Sequence, residues 1–492
     1  MTNKKKLYLM YPQKKGTIAP EIYGHFAEHI GGVIYDGIWV GKDSSIPNIN
    51  GFRKEIIEKL RAIKAPVIRW PGGCFAEIYD WRDGIGEDRP TRINWWTRKD
   101  GRYETNEVGT HEFMDFCEAV GASGYFAANL TSVTPLQIRN WMDYCLSPRG
   151  TTTLAKEREK NGHPEPFDIK YWGVGNENWG CGGRMRPEFY ADECRRFAEV
   201  MRNTEVTRGV ETNIEYYACG NDADQFDWTR GVMPVLSPVP AQPISGYAMH
   251  YYCINRDAEC LDFSDDEWKG LLRKADRMEK IIEKNWSIIS ANDMENKCKL
   301  VVDEWGSWHG ENSGPSKGEN LWEQQNTMRD AMVAAHTLNI FNRHCDKVRM
   351  ANIAQLVNNI HSLFLAGGEN CITTPTYHVF DMYKEHQGAE LIEAIVTDNE
   401  DFDSSITVSA SVKEGKTLVT IGNISCDDEV EISLEAVGAS IPSDAKAIML
   451  YNEDIHAHNT FENPKTVVPT DMDLDISKPF TIPKAGILAI RF

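Results

Sequence analysis

Between Ile22 and Tyr383, short apolar runs alternate with longer amphipathic stretches. That alternation restricts the chain to an α/β architecture built from parallel βα units. Strand-like runs fall at residues 23–29, 66–70, 124–130, 169–174, 214–219, 244–252, 300–305 and 351–357. Helical patterns lie between them. Phe52, Ile56, Leu60 and Ile63 share one face at helical spacing. Residues 112–120, 187–201, 267–282 and 323–341 read the same way, and Pro187 suits a first helical turn. The strand count approaches eight, which fits a (β/α)8 barrel better than an open doubly wound sheet. No GxGxxG or phosphate-binding loop supports a nucleotide fold.

The texture changes after Tyr383. Segments 406–410, 417–421, 430–434, 447–451, 480–482 and 487–492 are short and rich in Val, Ile and Thr, with Gly, Asp, Asn and Pro between them. That is the pattern of a C-terminal all-β, jelly-roll-like sandwich. Residues 6–10 are also strand-like and precede the barrel. The expected division is therefore a strand at 1–18 that joins the sandwich, a catalytic barrel at 19–384 and a sandwich at 385–492. Two units suit 492 residues, more than one ordinary core supports.

Charge narrows the partners. With 53 Lys and Arg against 73 Asp and Glu, the net charge is −20. An acidic surface repels nucleic acid and anionic membrane, but not a neutral ligand. The apolar run at 7–11 is too short for a signal-peptide core, and no run approaches a membrane span. The 12 Cys are scattered without CxxC pairs, as expected of mostly reduced, buried thiols in a cytoplasmic protein.

Reactive residues of a (β/α)8 barrel gather at the C-terminal ends of its strands. Strand 169–174 runs into Gly175-Asn176-Glu177-Asn178-Trp179, and strand 300–305 carries Asp303-Glu304-Trp305. One such Glu alone is more often a structural ion pair. Two on the same rim, beside Asn176 and two Trp, favour glycoside hydrolysis, in which one carboxyl donates a proton and the other attacks. Other strand ends supply Glu28, Arg69, Cys74, His250, Tyr252 and Gln355. A buried Arg69 implies a carboxylate partner. Period-two alternation places His250 and Tyr252 on one side of their strand. A metal reading competes, because His25-Phe26-Ala27-Glu28-His29 matches H-x-x-E-H, an inverted zinc-protease motif. Zinc needs both His on one helical face, whereas Pro20, Gly24 and Gly31-Gly32 suit a strand and loop.

Long motifs carry a family resemblance. They are GHFAEHIGGVIYDGIWVG (24–41), RWPGGCFAEIYDWRDGIG (69–86), YWGVGNENWGCGG (171–183), VVDEWGSWHG (301–310), QQNTMRDAMVAA (324–335), MANIAQLVN (350–358) and TPTYHVFDMYK (374–384). They resemble glycoside hydrolase family 51, the α-L-arabinofuranosidases, over nearly the whole chain. The resemblance implies a barrel plus a sandwich that borrows an N-terminal strand. It also implies exo-acting, retaining removal of arabinofuranosyl residues from arabinan, arabinoxylan or oligosaccharides, without cofactor or metal. Glu177 would be the acid/base and Glu304 the nucleophile. Glu28, Arg69, Asn176 and Gln355 would contact the furanose or support the nucleophile. Tyr252 would bond Glu304, and His250 would lie near Glu177. A homo-oligomer, often a hexamer, is also implied.

Some features depart from the family pattern or stay open. Cys74 stands where some relatives carry a sugar-touching Asn. It and Cys181 either approach within roughly 7 Å and form a disulfide or remain free thiols. Ala127-Ala128-Asn129-Leu130 is less polar than in many relatives, which puts strand-three sugar contacts in doubt. Trp95, Trp96, Trp179 and Trp308 are candidates for stacking on sugars, against ordinary core packing. Loop 83–109 decides between a pocket and the open cleft of an endo-acting glucanase or xyloglucanase. Retention requires carboxyls about 5–5.5 Å apart, and inversion about 6.5–9.5 Å.

Overall fold

Eight parallel strands close into a barrel in chain order. They are β1 (Gly24–Phe26), β2 (Val67–Trp70), β3 (Ser123–Ala128), β4 (Ile169–Val174), β5 (Glu215–Asp222), β6 (Gly246–Asn255), β7 (Lys299–His309) and β8 (Val348–Ile353). The computed structural model describes residues 3–98, 101–206, 213–237, 244–255, 260–310 and 312–492. The outer helices include Lys54–Ala62, Thr110–Val120, Pro135–Leu146, Pro187–Val206, Phe226–Leu236, Asp265–Asn292 and Met328–Arg343. β1 opens on a glycine because its backbone lies close to its neighbours there. A Cβ on Gly24 would sit 2.4 Å from Asn352 and 2.7 Å from Val67.

Inside the barrel, Val67, Tyr125, Tyr171, Tyr217, Ala248, Val301 and Met350 form one closed apolar layer. This is a packed floor rather than a channel. Two residues further along four of these strands stand Arg69, His250, Asp303 and Asn352, all buried. Side chains two apart in a strand share a face. The period-two step therefore carries the interior from an apolar floor to a polar layer at the C-terminal end of the barrel.

The second unit is a nine-stranded sheet curled around its own core of Leu7, Leu9, Ile392, Val419, Ile421, Ile432, Leu488 and Ile490. The N-terminal strand Asn3–Thr17 lies within it, parallel to Val430–Val437 and antiparallel to Glu390–Val396. Helix Met328–Arg343 is buried along nearly its whole length between barrel and sandwich. Asn339 bonds Thr407 and Thr420 across that seam, at 3.2 and 2.9 Å.

Several elements differ from the sequence-based expectation. The third strand stops at Ala128, because Asn129 turns to bond Ser132 and the Tyr79 carbonyl. The last long helix starts at Met328, capped by Thr327 and Asp330, and not at 323. Helices Pro135–Leu146, Thr153–Lys160, Phe226–Leu236 and Pro375–Tyr383 and strands Glu390–Val396 and Thr470–Asp475 were not anticipated. In segment 83–109 a hairpin pairs Arg92–Arg98 with Gly101–Glu104, and the 99–100 part of that expected loop lies outside the described residues. No helix among the described residues is long and apolar enough to cross a membrane.

Candidate active site

The polar layer is organised by a bulge in β7. Register with β6 shifts between Ala248 and His250, and register with β8 shifts between Val302 and Trp305. A bulge re-aims side chains, so consecutive residues can face the same side. Asp303 and Glu304 consequently both reach Arg69. The guanidinium meets Asp303 Oδ2 at 3.2 Å and Glu304 Oε1 at 2.8 Å, and donates to Asn176 Oδ1 at 2.5 Å. Tyr252 donates to Glu304 Oε2 at 2.8 Å, and Tyr125 to Asp303 Oδ2 at 2.9 Å. Burial opposes charge on Asp303, but Arg69 and His250 outweigh it and hold its carboxyl below the usual range.

His250 joins the two carboxyls singled out in the sequence. Its Nδ1 lies 2.9 Å from Glu177 Oε1 and 3.5 Å from Glu304 Oε2, and its Nε2 lies 3.1 Å from Asp303 Oδ1. Burial alone would lower its pKa, yet the charges of Glu304 and Asp303 push it well above the ordinary value. Burial raises the pKa of Glu177, and repulsion from Glu304 adds to it against the His250 bond. A carboxyl oxygen of Glu177 and one of Glu304 lie within 4.8 Å of each other. The arrangement thus offers one carboxyl biased toward its protonated form, facing a second that is gripped by Arg69 and Tyr252.

Glu177 sits on a tight corner after β4. Gly175 has φ +88, and Glu177 itself has φ +43, a left-handed conformation that side chains larger than Gly rarely adopt. Glu77 braces the corner. Its buried carboxylate accepts from Asn176 N (2.6 Å), Asn178 Nδ2 (3.0 Å), Leu130 N (2.8 Å) and Thr131 N (2.7 Å). One side chain thereby ties together the loops after β2, β3 and β4. Substituting Glu77→Gln turns one acceptor into a donor facing donors. The expected loss is about 2 kcal/mol of stability with a lower kcat, read by urea denaturation alongside aryl-glycoside turnover. An unchanged midpoint would remove Glu77 from this role.

Glu28 lies across the pocket. Its carboxyl accepts from Phe75 N at 3.0 Å and Gln355 Nε2 at 3.1 Å, while Gln355 Oε1 accepts from Glu28 N at 3.0 Å. Burial, reinforced by the charge of Glu304, raises its pKa to about 8, against the Phe75 N–H and Arg69. Gly73 separates the two acids. A Cβ there would meet Glu304 Oε1 at 3.0 Å and Glu28 Oε2 at 3.1 Å. Asn176 Nδ2 is buried and has no hydrogen-bond partner, so a donor stands ready for a ligand.

Cys74 and Cys181 form a disulfide with Cα atoms 5.7 Å apart. Both sulfurs lie against Glu177 Oε2, at 3.5 and 3.4 Å. The bridge thus lines the same side of the pocket as the raised carboxyl. Thiol titration of the unfolded, unreduced protein should find ten free cysteines, the number left outside the bridge. Twelve would mean that the bond does not form.

The aromatic candidates separate. Trp179 is half-buried and donates to the Gly220 carbonyl at 3.0 Å. Trp308 packs on Tyr252, with ring centroids 5.2 Å apart, and on Trp322 at 4.7 Å. Trp322 packs on Trp96 at 5.3 Å, and Trp96 stacks on Trp95 at 4.4 Å. A continuous aromatic path therefore leads from Tyr252, the partner of Glu304, to the exposed Trp95. Sequence patterning gives Asp303 no role of its own and does not point to Glu77 or Trp322. The one available signal was a carboxylate inside an otherwise apolar CFAEI stretch.

The zinc reading fails on geometry. The H-x-x-E-H segment is strand and loop, not helix. Both nitrogens of His29 are engaged, Nδ1 with Glu104 at 2.8 Å and Nε2 with the Trp70 indole N–H at 3.0 Å. His25 is buried against Phe380, and desolvation lowers its pKa to about 3.

Comparison with known proteins identifies the family. Residues 59–266 match the α-L-arabinofuranosidase 1 domain model, and residues 303–485 match the α-L-arabinofuranosidase C-terminal domain model. An intracellular exo-α-L-arabinofuranosidase of Bacteroides ovatus is 37% identical over 93% of this chain and 88% of its own. Intracellular exo-α-(1->5)-L-arabinofuranosidase 1 of Bacillus subtilis is 29% identical, covering 93% of this chain and 91% of its own. The crystal structure of the GH51 arabinofuranosidase from Xanthomonas axonopodis pv. citri superposes with a TM-score of 0.91 at 35% identity, covering 99% of each chain. The chain belongs to glycoside hydrolase family 51, the α-L-arabinofuranosidases.

Proposed function

We propose that the protein releases terminal α-L-arabinofuranosyl residues by a retaining, two-step displacement. The observation that carries this reading is the approach of Glu177 and Glu304 to within 4.8 Å. That spacing fits a nucleophile and an acid, and leaves too little room for the water of an inverting enzyme. Glu304 attacks the anomeric carbon while Glu177 gives its proton to the leaving oxygen, forming a glycosyl ester. Glu177, now a carboxylate, takes a proton from water, which attacks the same carbon and frees Glu304. The open Asn176 Nδ2 donates to the sugar 2-hydroxyl, a contact that strengthens as charge develops. Glu28, with its raised pKa, offers a hydroxyl donor held in place by Gln355.

Residues 19–384 carry the chemistry, and 1–18 together with 385–492 form the sandwich. The names of these two relatives support an intracellular, exo-acting arabinofuranosidase, with α-1,5 linkages the first to test. The family resemblance supports a homo-oligomer. The test is proton NMR of the first sugar released from an aryl α-L-arabinofuranoside. Initial formation of the α anomer is expected, and initial β anomer would overturn retention. Single arabinose units should leave an α-1,5-arabino-oligosaccharide from the outset. Early internal fragments would instead indicate endo action.

A further inference from the structure

We propose that the concavity between the 31–46 loop and the 103–107 strand end is a second glycan site, which holds a neutral, hydroxyl-rich stretch of the polymer whose terminal sugar is cleaved. The proposal rests on the activity described above. The concavity has a volume of about 420 Å³, within the range of small-ligand sites. Its walls set the rings of Tyr35, Trp39 and Tyr103 among the acceptors Asp36, Thr105 and Glu107. Ring faces pack on the C–H faces of sugars, and acceptors take their hydroxyls.

The wall formed by the hairpin is exposed where a soluble surface would be polar. Ile93 pairs with Tyr103 across the strands, and Trp95 shares the face of Ile93. These three are 76%, 64% and 50% exposed, while Asn94 and Glu104 on the opposite face are buried. Apolar surface gathered on a rim in this way marks a binding face.

The pocket lies close to the catalytic centre. Gly31, in its wall, donates to the Trp96 carbonyl at 2.7 Å. It lies three residues from Glu28, so their Cα atoms are at most about 11 Å apart. Trp95, Trp96, Trp322 and Trp308 then lead ring by ring to Tyr252 and Glu304. Glu104 accepts from Tyr35 of the pocket wall and bonds His29 beside Glu28, so the two sites share one rigid support.

The acceptors select the occupant. Glu107 already accepts from the Trp39 indole at 3.1 Å and the Thr105 hydroxyl at 3.3 Å. A carboxylate has about four acceptor positions, so capacity remains for sugar hydroxyls. Asp36 also meets the Arg53 guanidinium at 3.7 Å, so Glu107 supplies most of the charge that repels uronates, which leaves a neutral glycan.

The test uses native electrophoresis through gels containing linear arabinan, with Glu304→Ala protein to prevent hydrolysis. Retardation is expected, and adding Tyr103→Ala should weaken it by about three- to tenfold in apparent affinity. A polygalacturonate gel should not retard the protein. With Glu304 intact, Tyr103→Ala should hydrolyse an aryl arabinofuranoside at the parent rate. Unchanged retardation on adding Tyr103→Ala overturns the site. So does an equal loss of aryl-glycoside turnover, which would place Tyr103 in the catalytic pocket. A change in sedimentation on Tyr103→Ala would make the face a contact between copies of the chain, which also overturns it. If the unsubstituted protein fails to cleave the aryl arabinofuranoside, the activity is wrong, and the gel result still reads out the site on its own.

Discussion

Replacing Glu304 by Ala should abolish turnover of an aryl α-L-arabinofuranoside, lowering kcat on the order of 10⁴-fold or more. No neighbour can take its place. Asp303 shares Arg69 with it but is fixed by Tyr125 and His250 below the pocket. Glu28 has a raised pKa and is held by Phe75 and Gln355. Arg69 keeps Asp303 as a partner in the variant, so the fold should survive and the loss should be chemical. An added small anion such as azide can enter the space left by the side chain and attack the anomeric carbon. One displacement then replaces two, and the glycosyl azide should carry the β configuration. The product's anomeric NMR signal checks this. Recovery of α azide, or activity within tenfold of the parent, would remove Glu304 from the nucleophile role.

The sequence made Glu177 and Glu304 legible because each stands on or just after a recognisable strand, and barrel chemistry concentrates at strand ends. The role of Asp303 was not legible. Alternation predicts that Asp303 and Glu304 face opposite sides, and only the bulge in β7 brings both to Arg69. Glu77 was hidden for a different reason. Its four partners come from residues 130, 131, 176 and 178, far along the chain, and local patterning carries no trace of them. The disulfide was open in the sequence, since adjacency of Cys74 and Cys181 depends on the loops after β2 and β4 meeting. Among the elements, Thr470–Asp475 reads as an acidic loop because it is an exposed edge strand, where charge prevents further pairing. Phe226–Leu236 carries Pro234 within the helix and so breaks the usual helical signal.

Glu177→Ala should separate substrates by their leaving groups. An alkoxide sugar leaving group needs a proton in the transition state, so kcat/KM for an arabino-oligosaccharide should fall about 10²–10⁴-fold. A dinitrophenolate leaves without that proton, so kcat/KM for its arabinofuranoside should stay near the parent value. Its kcat should still drop, because Glu177 also activates the water of the second step. The ester would then accumulate and give a burst of phenolate. Azide should relieve that step without needing a base and yield the α azide, the opposite anomer from the Glu304 variant. The pH profile gives an independent reading. Burial and the charge of Glu304 raise the pKa of Glu177, so the parent keeps its acid protonated at low pH and loses kcat/KM as pH rises through that value. In Glu177→Ala that alkaline limb should be gone, while any limb near about 8 that belongs to Glu28 stays. Equal losses for both leaving groups, or an unchanged alkaline limb, would show that the proton comes from another residue, and His250, which contacts both carboxyls, would be the next to substitute.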